Sequence, residues 1–216
     1  MKMNPEILRV YAVTDRSWTG KYTLLEQVEQ ALKGGATCIQ FRDKTLDEEA
    51  FLEEAKKMKA LCEKYHVPLI INDHVEIAVK CQADGVHVGQ KDMKASAVRE
   101  IVGENMIIGV SARTVEQAVE AERAGADYLG SGAVFGTATK TDAKKLSLET
   151  LKDICQAVQI PVVAIGGVQK ENLPKLAGTG VKGTALVSAV FSAQDIEEEC
   201  RQLRRITEEM LKQGNR

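Results

Sequence analysis

Short apolar runs alternate with longer stretches of helical periodicity along the chain. Two of the short runs, 69–71 and 162–165, are continuously apolar, which is typical of strands covered on both faces in a parallel sheet. Runs of this kind predict eight strands, at 8–14, 38–42, 68–72, 85–88, 106–110, 128–130, 161–165 and 184–187.

The stretches between the predicted strands have the spacing of amphipathic helices. In 46–65, Phe51, Ala55 and Met58 fall on one apolar stripe. Asp47 is placed to cap this helix, and acidic residues follow it in the first turn, where the helix dipole favours them. Comparable patterns predict helices at 75–81, 96–102, 115–123, 148–158 and 195–212.

The regular alternation predicts a (β/α)8 barrel, formed by one domain over residues 1–216. The predicted strands recur at intervals of about 17 to 34 residues, and no linker rich in Pro, Gly or Ser divides the chain. The alternative is a doubly wound open sheet. The sequence disfavours that fold, because no Gly-x-Gly-x-x-Gly pattern follows the first predicted strand.

Composition and charge limit the kinds of molecule that the protein is expected to bind. The chain is 44% hydrophobic and 28% charged, as an ordinary globular protein is. Its formal net charge of −2 gives no basic footprint for nucleic acid, and an aromatic content of 4% leaves few rings for stacking on bases. We therefore expect small-molecule ligands, small anions included, rather than a long polyanion.

Neither disulfides nor a membrane anchor is indicated. The cysteines are odd in number, widely spaced and without a Cys-x-x-Cys pair, so we predict buried, unreactive thiols, with one catalytic thiol as the alternative. No stretch approaches 18 uncharged apolar residues, and the N-terminus has no signal-peptide pattern. We expect no membrane contact and a cytoplasmic location, and the sequence leaves a homo-oligomer open.

Cationic and neutral donors cluster where the predicted strands end. In a parallel barrel the chemistry lies at the carboxyl ends of the strands. Gln40 and Arg42 share one strand face, and Lys44 and Lys140 follow strands 2 and 6. Together with the hydroxyls of the 136–140 loop they favour an anion site over scattered solvated charge.

Two carboxylates follow neighbouring strands. Asp73 and Asp92 come after strands 3 and 4, and hard oxygen ligands of this kind suit Mg²⁺, which completes its shell with water and substrate phosphate. The alternative is that each aspartate caps the helix that follows it. His87 lies within an apolar run, so we predict a structural histidine there.

The seventh and eighth strand ends suggest a second anion site. Gly166 and Gly167 end strand 7, and Val187 and Ser188 precede a helix after strand 8. Loops at these positions of a barrel commonly bind phosphate through backbone N–H groups. Two anion sites imply two phosphorylated substrates, or a diphosphate and a phosphate.

Taken in order, these motifs resemble the thiamine phosphate synthase family over nearly the whole chain. The segments that carry the resemblance are Tyr-Ala-Val-Thr-Asp at 11–15, Gln-Phe-Arg-Asp-Lys at 40–44, Ile-Ile-Asn-Asp at 70–73, Gly-Val-His-Val-Gly-Gln at 85–90, Gly-Val-Ser at 109–111 and Phe-Gly-Thr-Ala-Thr-Lys at 135–140. The resemblance implies a (β/α)8 barrel that couples hydroxymethylpyrimidine diphosphate to hydroxyethylthiazole phosphate and releases pyrophosphate. It also implies a dissociative reaction, in which pyrophosphate leaves before the thiazole nitrogen attacks.

The resemblance further assigns residues to roles. The expected contacts of the pyrimidine diphosphate are Gln40, Arg42, Lys44, Asn72, Ser111 and Lys140, of which Arg42, Lys44, Ser111 and Lys140 are the expected catalytic residues. One Mg²⁺ per subunit is expected on Asp73 and Asp92. The expected contacts of the thiazole phosphate are Thr137, Thr139, Gly167, Val187 and Ser188. The same motifs place Phe41, Asp43 and Ala138 among the substrate-binding residues.

The chain departs from the family pattern in the loop after strand 6 and after strand 5. Ala133 and Gly136 stand where the family usually has prolines, which predicts a looser loop, and Arg113 stands where a histidine is usual.

Two rival functions stay open: a thiazole tautomerase of the same fold, and a phosphate-binding barrel without catalysis. The first is disfavoured, because a tautomerase is not expected to keep all the cations and both aspartates.

Overall fold

Eight parallel strands close into a barrel in a computed structural model that describes residues 3–136 and 145–214. Each strand pairs in parallel with the next one along the chain, and β8 closes against β1. The strands are β1 (Val10–Val13), β2 (Cys38–Phe41), β3 (Leu69–Asn72), β4 (Gly85–Val88), β5 (Ile107–Ser111), β6 (Tyr128–Gly132), β7 (Val162–Ile165) and β8 (Gly183–Leu186). The predicted barrel is confirmed, and the open sheet is wrong because no strand is left with an unpaired edge.

Helices connect the strands around the outside of the barrel. They are α1 (Leu24–Lys33), α2 (Glu48–Lys64), α3 (Val75–Lys80), α4 (Ala95–Val102), α5 (Val115–Arg123), α6 (Leu148–Ala157), α7 (Ser188–Phe191) and α8 (Ile196–Gly214). Several begin at a residue whose side chain satisfies a first-turn N–H group. Asp47 caps α2 by accepting from the Ala50 N–H, as predicted, and Thr23 and Glu26 form a capping box on α1. Within the described residues, no helix combines the length and the apolar character that crossing a bilayer requires.

The connection from β7 to β8 differs from the predicted alternation. It contains a short 3-10 helix at Leu173–Leu176 in place of an α-helix. Pro174 lies in its first turn, and Gly178 and Gly180 follow it with φ angles of +77° and +93°. Two residues in the left-handed region so soon after the turn stop any α-helix from extending.

Side chains of the strands alternate between two apolar layers. Tyr11, Cys38, Ile70 and Tyr128 point into the barrel and pack on one another. The residues between them in sequence point outward and form the larger layer beneath the helices. Each strand is therefore covered on both faces, which is the physical reason that the strand runs in the sequence are continuously apolar.

Candidate active site

Most of the predicted site residues lie at one end of the barrel. Because all eight strands are parallel, their carboxyl ends meet at the same rim, which is called the mouth below. Asn72 is the last residue of β3, Ser111 is the last residue of β5, and Gln40 lies one residue before the end of β2. Thr137, Ala138, Thr139 and Lys140 lie outside the described residues.

Gln40 points into the barrel just below the mouth. Its side chain is 5% exposed, and its Nε2 donates a hydrogen bond of 2.7 Å to the Tyr11 hydroxyl. The prediction that Gln40 lies on the inward face of its strand agrees with this placement. The Tyr11 partner was not predicted, because it lies on the neighbouring strand 29 residues away.

Phe41 lies on the opposite face of β2 from Gln40. Its ring is fully buried beneath α2, with its centroid 4.4 Å from that of Phe51. Successive residues of a strand alternate between its two faces, so Gln40 and Phe41 cannot both reach the mouth. The structure therefore places the Phe41 ring in the outer core, so its side chain does not line the mouth.

Arg42 is held close to the first strand. Its backbone N–H donates to the Thr14 hydroxyl at 2.9 Å, and that hydroxyl donates to the Arg42 carbonyl at 3.0 Å. The guanidinium lies 3.8 Å from the Asp15 carboxylate. Lys44 follows two residues later and is exposed. Arg42 and Lys44 are thus the described members of the predicted cation set, and one of them already has a carboxylate beside it.

Asp43 turns away from the mouth. Its carboxylate forms an ion pair with Arg16 and accepts hydrogen bonds from the Thr45 N–H at 2.7 Å and the Leu46 N–H at 3.2 Å. Arg16 also pairs with Glu54 on α2. With its side chain only 1% exposed, Asp43 organises the loop after β2 rather than meeting a ligand. The predicted substrate contact of Asp43 would therefore fall to its backbone.

Ser111 and His87 form a hydrogen-bonded pair at the mouth. His87 Nε2 lies 2.9 Å from Ser111 Oγ, and His87 Nδ1 lies 3.0 Å from the Tyr128 hydroxyl. Gln90 also approaches, with its Nε2 donating to the Ser111 carbonyl at 2.7 Å. His87 is buried, as predicted, but it contacts a predicted site residue. Its inward position on β4 was readable from period-two alternation, whereas its partner on β5 was not.

Asp73 and Asp92 are not the N-cap residues of the helices that follow them. The N-cap residues of α3 and α4 are His74 and Lys94, and the side chains of these two residues make no cap hydrogen bond. Asp92 Oδ2 instead accepts from the Gly89 N–H at 2.7 Å, within the loop after β4. Asp73 has a φ of +64° and donates its backbone N–H to the His87 carbonyl at 2.8 Å. Neither aspartate therefore occupies the N-cap position that the capping alternative gave it.

The donor set of the two aspartates fits a hard divalent cation held partly by its substrate. Both carboxylates are exposed at the ends of neighbouring strands, β3 and β4. Across 3–136 and 145–214, no group of three or more His, Cys, Asp or Glu side chains is placed to hold a metal ion. Mg²⁺ commonly binds one or two protein carboxylates and takes its other ligands from water and phosphate.

The loops after β6 and β7 pack directly on each other. Gly136 and Gly167 have φ angles of +78° and +68°, and a Cβ atom on Gly167 would lie 1.8 Å from the Gly136 carbonyl oxygen. Proline fixes φ near −65°, so the conformation at 136 excludes the proline that is usual in the family. Gly136 therefore has a backbone conformation that glycine adopts readily and proline cannot.

The ends of β7 and β8 are joined by a side-chain contact. Gln169 Nε2 donates to Ser188 Oγ at 3.2 Å, and Asn172 Nδ2 donates to the Gly167 carbonyl at 2.8 Å. Ser188 begins α7, with Val187 as the N-cap residue. The structure thus brings Gly167, Val187 and Ser188 to neighbouring strand ends.

The cysteines lie away from this chemistry. All are free thiols, and all but Cys155 are buried. Burial raises the pKa of Cys155 to about 11 and the pKa of Cys62 and Cys200 to about 12. A thiol with such a pKa is protonated at neutral pH and is a poor nucleophile. The prediction of buried thiols is confirmed for all but Cys155, which is partly buried.

Comparison with known proteins yields one consistent family. Residues 10–190 match the family model described as thiamine monophosphate synthase. A thiamine-phosphate synthase of Ruminiclostridium cellulolyticum is 50% identical over 194 residues, 90% of this chain and 92% of that protein. One from Enterococcus faecalis is 47% identical over 206 residues, 95% and 97% of the two chains. The solved thiamine phosphate pyrophosphorylase of Pyrococcus furiosus superposes with a TM-score of 0.89 at 42% identity, covering 96% and 98%.

Proposed function

The chain belongs to the thiamine monophosphate synthase family, and from that premise we propose that it condenses hydroxymethylpyrimidine diphosphate with hydroxyethylthiazole phosphate. The products are thiamine phosphate and pyrophosphate, so the protein is a transferase. One observation supports this proposal above the others. Gln40, Asn72 and Ser111, which the family motif assigns to one substrate, come from three different strands and lie at the same mouth.

The pyrimidine diphosphate is proposed to bind across β2 to β5. Gln40, Asn72 and Ser111 offer neutral hydrogen-bonding groups suited to the pyrimidine, whereas Arg42, Lys44 and Lys140 offer positive charge suited to the diphosphate. Arg42 has the Asp15 carboxylate 3.8 Å from its guanidinium. A dianionic diphosphate competes well for that guanidinium, because it presents more charge and more acceptors than one carboxylate does.

Asp73 and Asp92 are the residues that would hold one Mg²⁺. A bound Mg²⁺ would supply positive charge to the departing diphosphate. Asp92 is oriented for this role by the Gly89 N–H, which fixes Oδ2 and leaves the other carboxylate oxygen to bind a ligand. Arg42, Lys44 and Lys140 act on the same leaving group through direct charge.

The thiazole phosphate is proposed to bind between the loops after β6, β7 and β8. Gly167, Val187 and Ser188 would bind its phosphate, together with Thr137 and Thr139. Backbone N–H groups are suitable donors here, because the first residues of a helix have no acceptor within the helix itself. Gln169 supports the site by donating to Ser188 Oγ.

We propose a dissociative reaction. The bond between the pyrimidine methylene carbon and the diphosphate oxygen breaks, and its electron pair leaves with pyrophosphate. The thiazole nitrogen then supplies the electron pair of the new carbon–nitrogen bond. Stabilising the leaving group is the main task in such a reaction, and it matches a mouth that presents cations and neutral donors.

Incubation of the purified protein with both substrates and Mg²⁺ tests the proposal. We expect thiamine phosphate and pyrophosphate in equal amounts, with no product when either substrate is omitted. Isomerisation of the thiazole without coupling would instead identify a tautomerase. Binding of either phosphate without turnover would identify a non-catalytic barrel, and each of these two results overturns the proposed function.

A further inference from the structure

A continuous line of hydrogen bonds crosses the interior of the barrel. Gln40 Nε2 donates to the Tyr11 hydroxyl at 2.7 Å, and the Tyr11 and Tyr128 hydroxyls are 2.7 Å apart. The Tyr128 hydroxyl lies 3.0 Å from His87 Nδ1, and His87 Nε2 lies 2.9 Å from Ser111 Oγ. The line therefore begins and ends on two residues assigned above to the pyrimidine.

The line is enclosed by the core. Tyr11 and Tyr128 are 1% and 0% exposed, and His87 is 8% exposed. The Tyr128 ring occupies the space above Gly109, where any Cβ would come within 2.2 Å of it. Burial raises the pKa of both phenols well above the ordinary value, so both keep their protons at neutral pH. Each phenol thus has one proton to donate.

The direction of the line follows from proton counting. Because Tyr11 accepts from the Gln40 amide, its own proton can be donated to Tyr128, whose hydroxyl is 2.7 Å away. Tyr128 would then accept from Tyr11 and donate its own proton to His87 Nδ1, which lies 3.0 Å away. Nδ1 is then the acceptor nitrogen of a neutral imidazole, and the ring proton is on Nε2. His87 therefore donates to Ser111 Oγ, and the Ser111 proton is left to point into the mouth.

We propose that His87, Tyr11 and Tyr128 are positioning residues that fix Ser111 as a hydrogen-bond donor, and Gln40 as an acceptor through its carbonyl oxygen, for an aminopyrimidine ring. An aminopyrimidine presents ring nitrogens that accept and an exocyclic amine that donates. A serine whose oxygen is already occupied by His87 donates to such a ring nitrogen, and a glutamine whose amide N–H is occupied by Tyr11 accepts from such an amine. The inference rests on the proposed function, since it takes the pyrimidine as the ligand.

The direction of the hydrogen bond from His87 to Ser111 distinguishes this pair from a nucleophilic serine and its general base. A catalytic base must accept the serine proton on its near nitrogen. Here that nitrogen already carries a proton, because the phenol of Tyr128 holds the other nitrogen as an acceptor. His87 therefore acts through Ser111 without removing a proton from it.

Two substitutions of similar size separate positioning from packing. His87→Gln keeps an amide nitrogen near the Nε2 position and can still donate to Ser111, whereas the shorter His87→Asn cannot reach it. We expect His87→Asn to lower kcat/KM for the pyrimidine diphosphate about tenfold, the effect of one lost hydrogen bond. His87→Gln should stay within about threefold of the wild type, and KM for the thiazole phosphate should change little in either variant.

Repeating both substitutions in a Ser111→Ala background completes the cycle. If His87 acts through Ser111, the two variants become equal within about twofold there, because the group they position is gone. A tenfold difference that persists in Ser111→Ala, or equal losses from both variants in the wild-type background, would show that His87 only fills space. Tyr65→Phe is the matched control for hydroxyl loss, since Tyr65 donates to Glu29 on the helical surface, and it should change neither kinetic constant.

A direct measurement of the His87 tautomer does not depend on catalysis. The chain has three histidines, so a ¹⁵N NMR spectrum is simple, and the His87→Gln spectrum assigns the signal. We expect the Nε2–H tautomer in the wild type and a shift toward Nδ1–H in Tyr128→Phe, which removes the donor to Nδ1. A wild-type Nδ1–H tautomer would overturn the inference. Failure of the wild type to couple the substrates would overturn the proposed function instead, and leave the tautomer result standing.

Discussion

Asp43 carries a buried charge that stabilises the loop after β2 at the mouth. Burial raises the pKa of its carboxyl, but hydrogen bonds from Thr45 and the pair with Arg16 outweigh that effect, so the pKa lies below its ordinary value of 3.8. A carboxyl whose pKa is lower in the folded state stabilises the fold while it is ionised. The contribution is present above the unfolded-state pKa and is lost as the pH falls through the folded-state pKa.

Asp43→Asn should therefore destabilise the protein in a pH-dependent way. We expect a loss of about 1–2 kcal/mol at pH 7, because one charge-assisted hydrogen bond to Arg16 is weakened. The difference from the wild type should shrink as the pH falls below about 4, because the carboxyl of the unfolded wild-type chain then takes up a proton and the folded-state carboxyl follows at lower pH. Melting temperatures from pH 7 to pH 3 test this, with the exposed Asp153→Asn as the control. A difference that is constant with pH would contradict the assignment.

Asp73 and Asp92 offer a test of the proposed metal site at the residue scale. Asp73→Asn and Asp92→Asn should each lower Mg²⁺-dependent turnover strongly, by about 100-fold, since removing either ligand forfeits most of the effect of the ion. The double variant should be little worse than the poorer single one, because residues acting as a unit are non-additive. Melting temperatures should change little, since an asparagine at 92 can still accept from the Gly89 N–H.

The hypothesis that the two aspartates only stabilise their loops predicts different results for the same variants. If the two aspartates serve only their own loops, each substitution leaves Mg²⁺-dependent turnover near the wild-type value, and any losses of stability add. Steady-state rates at several Mg²⁺ concentrations, measured beside melting curves on the three variants, decide between the patterns.

At the scale of elements, the loops after β6 and β7 form one unit. The Gly167 backbone touches the Gly136 carbonyl so closely that no side chain fits between them. The loop after β6 leads directly into 137–140, the segment predicted to contact both substrates. The conformation of Gly136 is therefore expected to influence how that segment meets its ligands.

Gly136→Ala and Gly178→Ala make a matched pair at this scale. The two glycines have φ angles of +78° and +77°, and a Cβ at either position meets nothing within 4 Å. Each substitution should cost about 1 kcal/mol of stability, because alanine is strained in the left-handed region. Only Gly136→Ala should raise KM for the thiazole phosphate, by about three- to tenfold, since a small misplacement of a binding loop is costly. Equal KM values in the two variants would show that the loop conformation does not limit binding.

At the scale of the whole molecule, strand pairing and apolar packing close the barrel. All eight strands are paired, and the apolar layers inside and outside the sheet are continuous. A chain of 216 residues buries roughly 70% of its unfolded surface, which is enough for a stable core. A cation at the mouth is thus expected to serve the reaction rather than the fold.

Removal of divalent cations should separate activity from stability. We expect a chelator to abolish turnover and added Mg²⁺ to restore it, while the melting temperature of the free protein moves by less than about 1 °C. The reason is that an ion held largely by substrate and water binds the free protein weakly and contributes little to its folding. Turnover that survives chelation would contradict the proposed Mg²⁺ requirement, and a large fall in melting temperature would make the ion structural.

The sequence by itself determined the fold and the order of groups around the mouth. Strand and helix periods are local properties, so 115–123 was predicted with the bounds of α5, and the eight strands and the helices α2, α3, α4, α6 and α8 were predicted to within a few residues. Parallel strands then bring their carboxyl ends together, so the sequence alone places Gln40, Asn72 and Ser111 at one rim. The alternation of side chains along a strand also predicts that Phe41 points outward, although the family motif places it among the substrate-binding residues.

Only the tertiary structure decided which groups are partners. Tyr11 and Tyr128 are 117 residues apart in the chain, and nothing local in either segment specifies a hydrogen bond between them. The same holds for His87 with Ser111 and for Arg16 with Asp43. Such contacts depend on strand register, barrel closure and side-chain direction acting together, and these are fixed only when distant segments pack against one another. Each strand can be predicted from its own sequence, but only the closed barrel brings the strands together so that their side chains form one line of hydrogen bonds across the core.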